Sequence, residues 1–338
     1  MSDDDTRPEA AGGSGGAAPA ITFAEILETV RHLPPPDLEA KTAAELALKR
    51  LGEGRAGGAG GVLGRLAPVV PWLAAWQGRS PAETRHPRLI LFAGTHGLAA
   101  RVGIDPAATA ARVGTFSANR APASAACQVA DADLRLYELD LETPTDDAAD
   151  GPAMSERMAA QAMAYGMMGV DQGLHLLALG TVSAGGRLSA AAVACALAGG
   201  EAADWLPPET PLAEVRAVEA AVARHAGAIA SPLHALARLG GFEVAALIGA
   251  MIAARLARTP VLLDGFEAGV AALLLWAVDT RAIDHCLAAH VTDAGHRRLL
   301  DRIGREPLLD LGIASGEGLG AAMAIPLIKA AADAADPG

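Results

Sequence analysis

The chain has 338 residues, of which 51% are hydrophobic and only 3% aromatic, and it carries a formal net charge of −12 with a pI near 5.2. That length serves one large domain or two, with a core built mainly of Ala, Leu and Val in closely packed helices. The acidic balance argues against a sequence-independent nucleic-acid binder, which needs a basic face to neutralise phosphates.

Residues 1–20 begin acidic, lack an apolar signal-peptide core and are biased to Gly, Ala and Pro, so a disordered tail is expected there. Thr22 to Leu33 shows helical spacing (Phe23, Ile26, Leu27, Val30) and is stopped by Pro34, Pro35 and Pro36. Leu38 to Leu51 is a second amphipathic helix, Gly54 to Gly64 a glycine-rich loop and Leu66 to Trp76 a third helix. The pattern then changes. Short apolar runs at 88–93, 134–140, 174–179 and 259–264 read as strands, three of them ending in glycine, and helical stretches such as Met154 to Met167 and Phe242 to Ala257 lie between them. The expected fold class is α/β, a parallel, Rossmann-like sheet flanked by helices. A smaller helical part would come from residues 21–86, the core domain from 87–330, and a tail from 331–338. In such sheets ligands bind beyond the carboxyl ends of the strands, which groups the loops at 94–97, 180–188, 264–266 and 315–320 on one side.

Val261 to Val278 is the most apolar stretch, yet it contains Asp264 and Glu267, so it reads as buried core and not as a membrane span. Cys127, Cys195 and Cys286 are odd in number and scattered, which fits a reducing, cytoplasmic setting without disulfides. His285, His290 and His296 lack a metal-ligand spacing, and neither metal nor cofactor is expected. Met163, Met167 and Met168, at helical spacing, read as core.

Several stretches together resemble the nicotinate-nucleotide:dimethylbenzimidazole phosphoribosyltransferase family: Leu91 to Leu98 (LFAGTHGL), Glu138 to Thr145, Leu239 to Ala246, Thr259 to Phe266, His290 to His296, and above all Pro307 to Ala321 (PLLDLGIASGEGLGA). The resemblance runs from about Phe23 to Ala330. It implies a parallel α/β core with a small helical part, a dimer (homomeric or with a paralogue), and phosphoribose transfer from nicotinate mononucleotide to a benzimidazole-type base. It makes Glu317 the general base that takes the ring N–H proton as the ring nitrogen attacks the ribose, a task for a carboxylate titrating near the working pH. It also implies substrate contacts from Gly316 and Gly318, from Thr95 and His96, from Gly180, Thr181, Gly185, Gly186 and Arg187, and from Asp264, Gly265, His290 and Thr292.

The donor-side loop departs from the family pattern. Thr181 stands where the family carries Glu, Gly186, Arg187 and Leu188 replace its Asn-Thr-Thr, and the phosphate-binding lysines are absent from Gly58–Gly64 and from the Trp205–Pro211 region. Glu209 and Glu214 would repel a phosphate, and Arg187 is the expected substitute contact. Two functions stay open on these residues: an active transferase, or a catalytically impaired paralogue that binds ligand or partners a true transferase. Some single residues also keep two readings. Glu317 is either the base or a loop carboxylate stabilised at a helix N-terminus, and residues 183–189 form either a helix cap or an anion site. His96 either lines the site or is a buried structural histidine, and Asp264 either faces ligand or caps the next helix.

Overall fold

The computed structural model describes residues 21–336; the tail expected over residues 1–20 lies outside them. Five strands form one all-parallel sheet in the order β2-β1-β3-β4-β5: β1 (Pro87–Ala93), β2 (Asp133–Glu138), β3 (Leu176–Val182), β4 (Val261–Asp264) and β5 (Cys286–His290). Four helices precede the sheet: α1 (Phe23–Arg31), α2 (Leu38–Gly52), α3 (Gly58–Leu63) and α4 (Val69–Gln77). Three more, α5 (Gly97–Arg101), α6 (Ala107–Ser117) and α7 (Pro122–Ala130), link β1 to β2, and α8 (Glu156–Met168) links β2 to β3. The long connection from β3 to β4 holds α9 (Gly186–Ala198), α10 (Leu212–His225), α11 (Pro232–Leu239) and α12 (Phe242–Leu256). α13 (Gly265–Val278) precedes β5, and α14 (Ala294–Arg302) and α15 (Leu319–Ala335) close the chain.

β1, β3 and β4 are buried along their whole length, as strands covered by helices on both faces must be. Their side chains alternate between two cores. Ile90, Phe92, Leu177 and Leu179 join one, with α8, α9, α12 and α13; Leu89, Leu91, Leu176 and Ala178 join the other, with α7 and α15. Small residues do much of this packing, and Ala190, Ala191, Ala192 and Ala194 of α9 are fully buried. After β1 the chain turns outward to β2, then returns to place β3 on the other side of β1. Such a reversal of strand order opens a crevice at the carboxyl ends of β1 and β3, where ligands of open α/β sheets bind.

Several sequence expectations need correction. The segment expected as a loop at 54–64 contains α3 and leads into a 3-10 turn, Gly64–Leu66. Residues 331–335 are no tail, since α15 continues through them, burying Ala331 and Ala335 against α2 and α4 in a third core and Ala332 in the second. α1 does not follow the division expected at residue 86, because its stripe of Phe23, Ile26 and Val30 packs into the main core. β3 runs three residues past Leu179, through Gly180 to Val182. β5 gave no strand signal, being five residues with two alanines. Met163 is buried as expected, but Met168 is exposed. Among the described residues no helix is long and apolar enough to cross a membrane, and the three cysteines are free and buried.

The tightest helix contact joins α8 to α12 through glycine. A Cβ on Gly249 would lie well inside van der Waals contact with the Met163 carbonyl, and one on Gly166 would meet the Ala246 carbonyl in the same way. Gly249→Ala gains about 1 kcal/mol of helix propensity. Forcing the two backbones apart costs about 1–3 kcal/mol. The expected net effect is destabilisation, read as a lower urea midpoint.

Candidate active site

The segment from Leu311 to Gly318 crosses the carboxyl ends of β3 and β4, and glycine allows it to lie there. Gly180, inside β3, faces this segment: a Cβ on it would stand 2.8 Å from the Gly316 carbonyl oxygen and 3.2 Å from the Gly318 nitrogen. Gly265, at φ +86°, opens α13, and its Cβ would stand 2.6 Å from the Gly316 Cα. The Thr181 N–H donates to the Gly316 carbonyl at 3.4 Å. Backbone therefore packs on backbone, and Glu317 is held at the rim with its side chain partly exposed. Gly318, at φ +85°, then opens α15.

A cavity of about 600 Å³ lies in front of this loop, within the size range of small-molecule sites. Of the residues expected from the sequence, Gly316, Glu317, Thr181, Gly185, Arg187 and Thr292 line it. Ser183, Pro207, Pro208, Glu209, Phe266, Asp293 and Ser315 complete much of the wall. The four loops expected on one side do converge: His96 meets Ser183, and Gly180 and Gly265 meet Gly316.

The other expected contacts lie behind the wall. Thr95 is buried and its hydroxyl donates to the Leu141 carbonyl. His96 is fully buried, with Nε2 3.0 Å from Ser183 Oγ and 3.1 Å from Glu243 Oε1. Burial opposes its charging, but Glu243 outweighs burial and holds the imidazole above its ordinary range. The structural reading of His96 is the one the fold supports: it braces Ser183, whose hydroxyl donates to the Gly94 carbonyl. His290 is buried, burial holds its imidazole below its ordinary range, and its Nε2 accepts the Leu311 N–H at 3.1 Å. Gly186 is buried one residue into α9, and a Cβ there would meet Ser183 Oγ at 2.8 Å.

Asp264 does not cap α13 with its side chain, although it occupies the cap position. A register shift in the β4–β5 ladder sets it beside His290, and a Cβ on Gly320 would meet both side chains. Its carboxyl points at the N-terminus of α15, near the N–H groups of Gly318, Gly320 and Ala321, without closing a well-aligned hydrogen bond. Burial pushes this carboxyl up to about 7, against the pull of those N–H groups.

Arg187 requires a correction. Its Nε and Nη2 donate to the Trp205 carbonyl at 2.9 and 2.7 Å, and its Nη1 and Nη2 pair with Asp293 at 2.9 and 2.8 Å. The guanidinium also lies 3.6 Å over the Phe266 ring. This arginine is therefore a bracket joining α9, α13, α14 and the Trp205 segment, and does not stand free for a phosphate. Burial opposes the charge on Asp293, yet the Arg187 hydrogen bonds win and hold its carboxyl at about 2.

Three charged groups in or behind the cavity wall were not singled out from the sequence. Arg112 of α6 reaches the cavity, with Nη1 3.3 Å from Glu317 Oε1 and 3.4 Å from the Ser183 carbonyl. Glu267, in the first turn of α13, lines the cavity, and burial holds its carboxyl above the ordinary range despite Arg187. Glu243 is fully buried against His96. Charges inside apolar stretches (Glu243 in GGFEVAAL, Glu267 in DGFEAGV) were the available signal. Among the described residues no three His, Cys, Asp or Glu side chains form a metal cluster.

The raised Asp264 carboxyl has a pH consequence. The folded state keeps its proton up to about 7, whereas the unfolded chain releases it near 3.8. Its stabilising contribution is complete below pH 3.8 and is lost as pH rises through about 7. From pH 5 to 8 wild type should lose about 3 kcal/mol relative to Asp264→Asn. Urea melts of both proteins at the two pH values measure this, and parallel pH dependence would contradict it.

A family model described as Phosphoribosyltransferase matches residues 33–336. The nicotinate-nucleotide–dimethylbenzimidazole phosphoribosyltransferase of Brucella anthropi is 42% identical over 325 residues, covering 94% of each chain. The Brucella canis enzyme of the same name is 42% identical over 328 residues, also 94% of each. A crystal structure of the enzyme so named from Thermus thermophilus superposes with a TM-score of 0.78 at 30% identity, covering 88% of this chain and 96% of that one. The five-stranded parallel sheet, the glycine-seated Glu317 loop and this similarity over nearly the whole length agree: the chain belongs to the nicotinate-nucleotide–dimethylbenzimidazole phosphoribosyltransferase family.

Proposed function

We propose that this protein transfers phosphoribose from nicotinate mononucleotide to dimethylbenzimidazole or a similar base, giving an α-ribazole 5′-phosphate and nicotinate, a step of cobalamin biosynthesis. The observation that carries the reading is Glu317: a carboxylate seated by glycine contacts at the mouth of a cavity of about 600 Å³. A bare loop carboxylate has no need of a seat in which Gly180 and Gly265 both approach Gly316.

The chemistry follows from that placement. The unprotonated ring nitrogen of the base attacks the anomeric carbon of the ribose as the bond to nicotinate breaks, and the second ring nitrogen gives its proton to Glu317. Positioned proton transfer of this kind contributes about 10²–10⁴-fold. Phe266 and the Pro207–Pro208 pair supply apolar wall, and Glu267 places a second carboxyl in the same cavity. Burial keeps Glu267 towards its neutral form, so the two carboxyls differ in environment, as paired acid and base groups do. We further place the protein in the cytoplasm as a dimer, homomeric or with a paralogue. The acidic composition and buried free thiols support the compartment, and the exposed Met158 and Tyr165 near the β2 edge support a partner.

One feature favours the second reading, a catalytically impaired paralogue. Among the described residues, four carboxyl groups (Glu209, Glu267, Asp293 and Glu317) line the cavity beside two guanidiniums, one of them fixed by Asp293. The two readings separate on product. Wild type incubated with nicotinate mononucleotide and dimethylbenzimidazole should form α-ribazole phosphate, detected by chromatography, and Glu317→Gln should lower kcat by about 10²–10⁴-fold with the mononucleotide still bound. Wild type without product at high enzyme concentration supports the paralogue.

A further inference from the structure

We propose that Arg112 is the residue that receives the donor's phosphate, and that it exchanges Glu317 for that phosphate, so that donor binding releases the base. This assignment rests on the transferase reading above.

Among the described residues that line the cavity, the cations are Arg112 and Arg187. Arg187 is held by four short hydrogen bonds and an aromatic face. Among the described residues Arg112 donates two long hydrogen bonds, 3.3 Å to Glu317 and 3.4 Å to the Ser183 carbonyl, and half of its side chain is exposed. An ion pair so long and so exposed is weak, because water screens it. A phosphate dianion offers the same guanidinium a shorter, two-pronged partner. The position is also suited to the exchange. Arg112 spans from the Glu317 loop to the Ser183 turn, and that turn leads directly into α9, whose N-terminus carries no side-chain cap. Backbone N–H groups at a helix N-terminus favour an anion beside the guanidinium. With Arg187 paired to Asp293, and with Glu209 and Glu317 also on the wall, a phosphate would meet net repulsion without Arg112.

The partner exchange couples the two substrates. While Arg112 holds Glu317, the carboxylate faces a cation and not the acceptor's N–H. Phosphate on Arg112 leaves Glu317 turned to the acceptor. A residue that only braced the fold would show no such coupling.

Calorimetry of full-length wild type, Arg112→Ala, Arg112→Lys, Glu317→Gln and the double variant, with nicotinate mononucleotide and with nicotinate riboside, tests this. Arg112→Ala should weaken mononucleotide binding by roughly 10- to 100-fold and leave riboside binding unchanged. Arg112→Lys should restore part of the loss. Glu317→Gln should tighten mononucleotide binding by about two- to fivefold, the competing carboxylate being gone, and this gain should vanish in the Arg112→Ala background. A gain that persists there shows direct charge repulsion and overturns the exchange. Arg112→Ala that still prefers the mononucleotide over the riboside as strongly as wild type overturns the phosphate assignment and leaves the transferase reading intact. Wild type that neither binds the mononucleotide nor forms product overturns the function and this assignment with it.

Discussion

The site depends on one close approach of backbone to backbone. The Gly316 region lies across Gly180 of β3 and Gly265 of α13, at distances that leave no room for a Cβ on either. Everything else about Glu317 follows from that seat: where its carboxylate stands, which cavity it faces and how it meets Arg112. The sheet supplies the platform, because β3 and β4 are buried parallel neighbours, with Gly180 level with the end of β4. The strand-order reversal supplies the crevice.

Beneath the seat lies a second layer of polar groups that touch no solvent. Asp264 faces the start of α15, His290 holds the Leu311 N–H, and His96 with Glu243 braces Ser183. Buried polar groups of this kind are expensive unless partnered; burial holds Asp264 towards its neutral form, while the His290–Leu311 and His96–Ser183 contacts tie loops to the sheet. The Arg187–Asp293 bracket likewise fixes the far wall. On the proposed reading the chemistry falls to Glu317 and Arg112, with Glu267 on the same wall, in front of this inner frame.

Much of this was legible in the sequence. Apolar runs ending in glycine marked β1, β3 and β4, because a local pattern reports a local backbone, whereas Glu317 was singled out by the family resemblance of the Pro307 to Ala321 stretch. β5 escaped, since Cys-Leu-Ala-Ala-His carries little strand preference and its pairing is decided by β4. The end of α15 escaped because its alanines look like a tail until α2 and α4 cover them. The settings of Arg187 and Arg112 were not legible in the sequence, for one reason. Which arginine stands free depends on partners far away in sequence, Asp293 for one and Glu317 for the other. No local pattern carries that information.

The seat itself can be tested without touching a charged group. Gly180 sits in ordinary extended strand, so alanine fits its backbone, and the nearest atoms its methyl would meet belong to the Gly316–Gly318 segment and the Leu91 side chain. The decisive measurement is the kcat of Gly180→Ala for phosphoribosyl transfer, with thermal melting as a control on folding. The account predicts at least roughly a tenfold loss of kcat with the fold retained, because displacing a positioned base by a fraction of an ångström is costly. Wild-type kcat in a folded Gly180→Ala protein would contradict it.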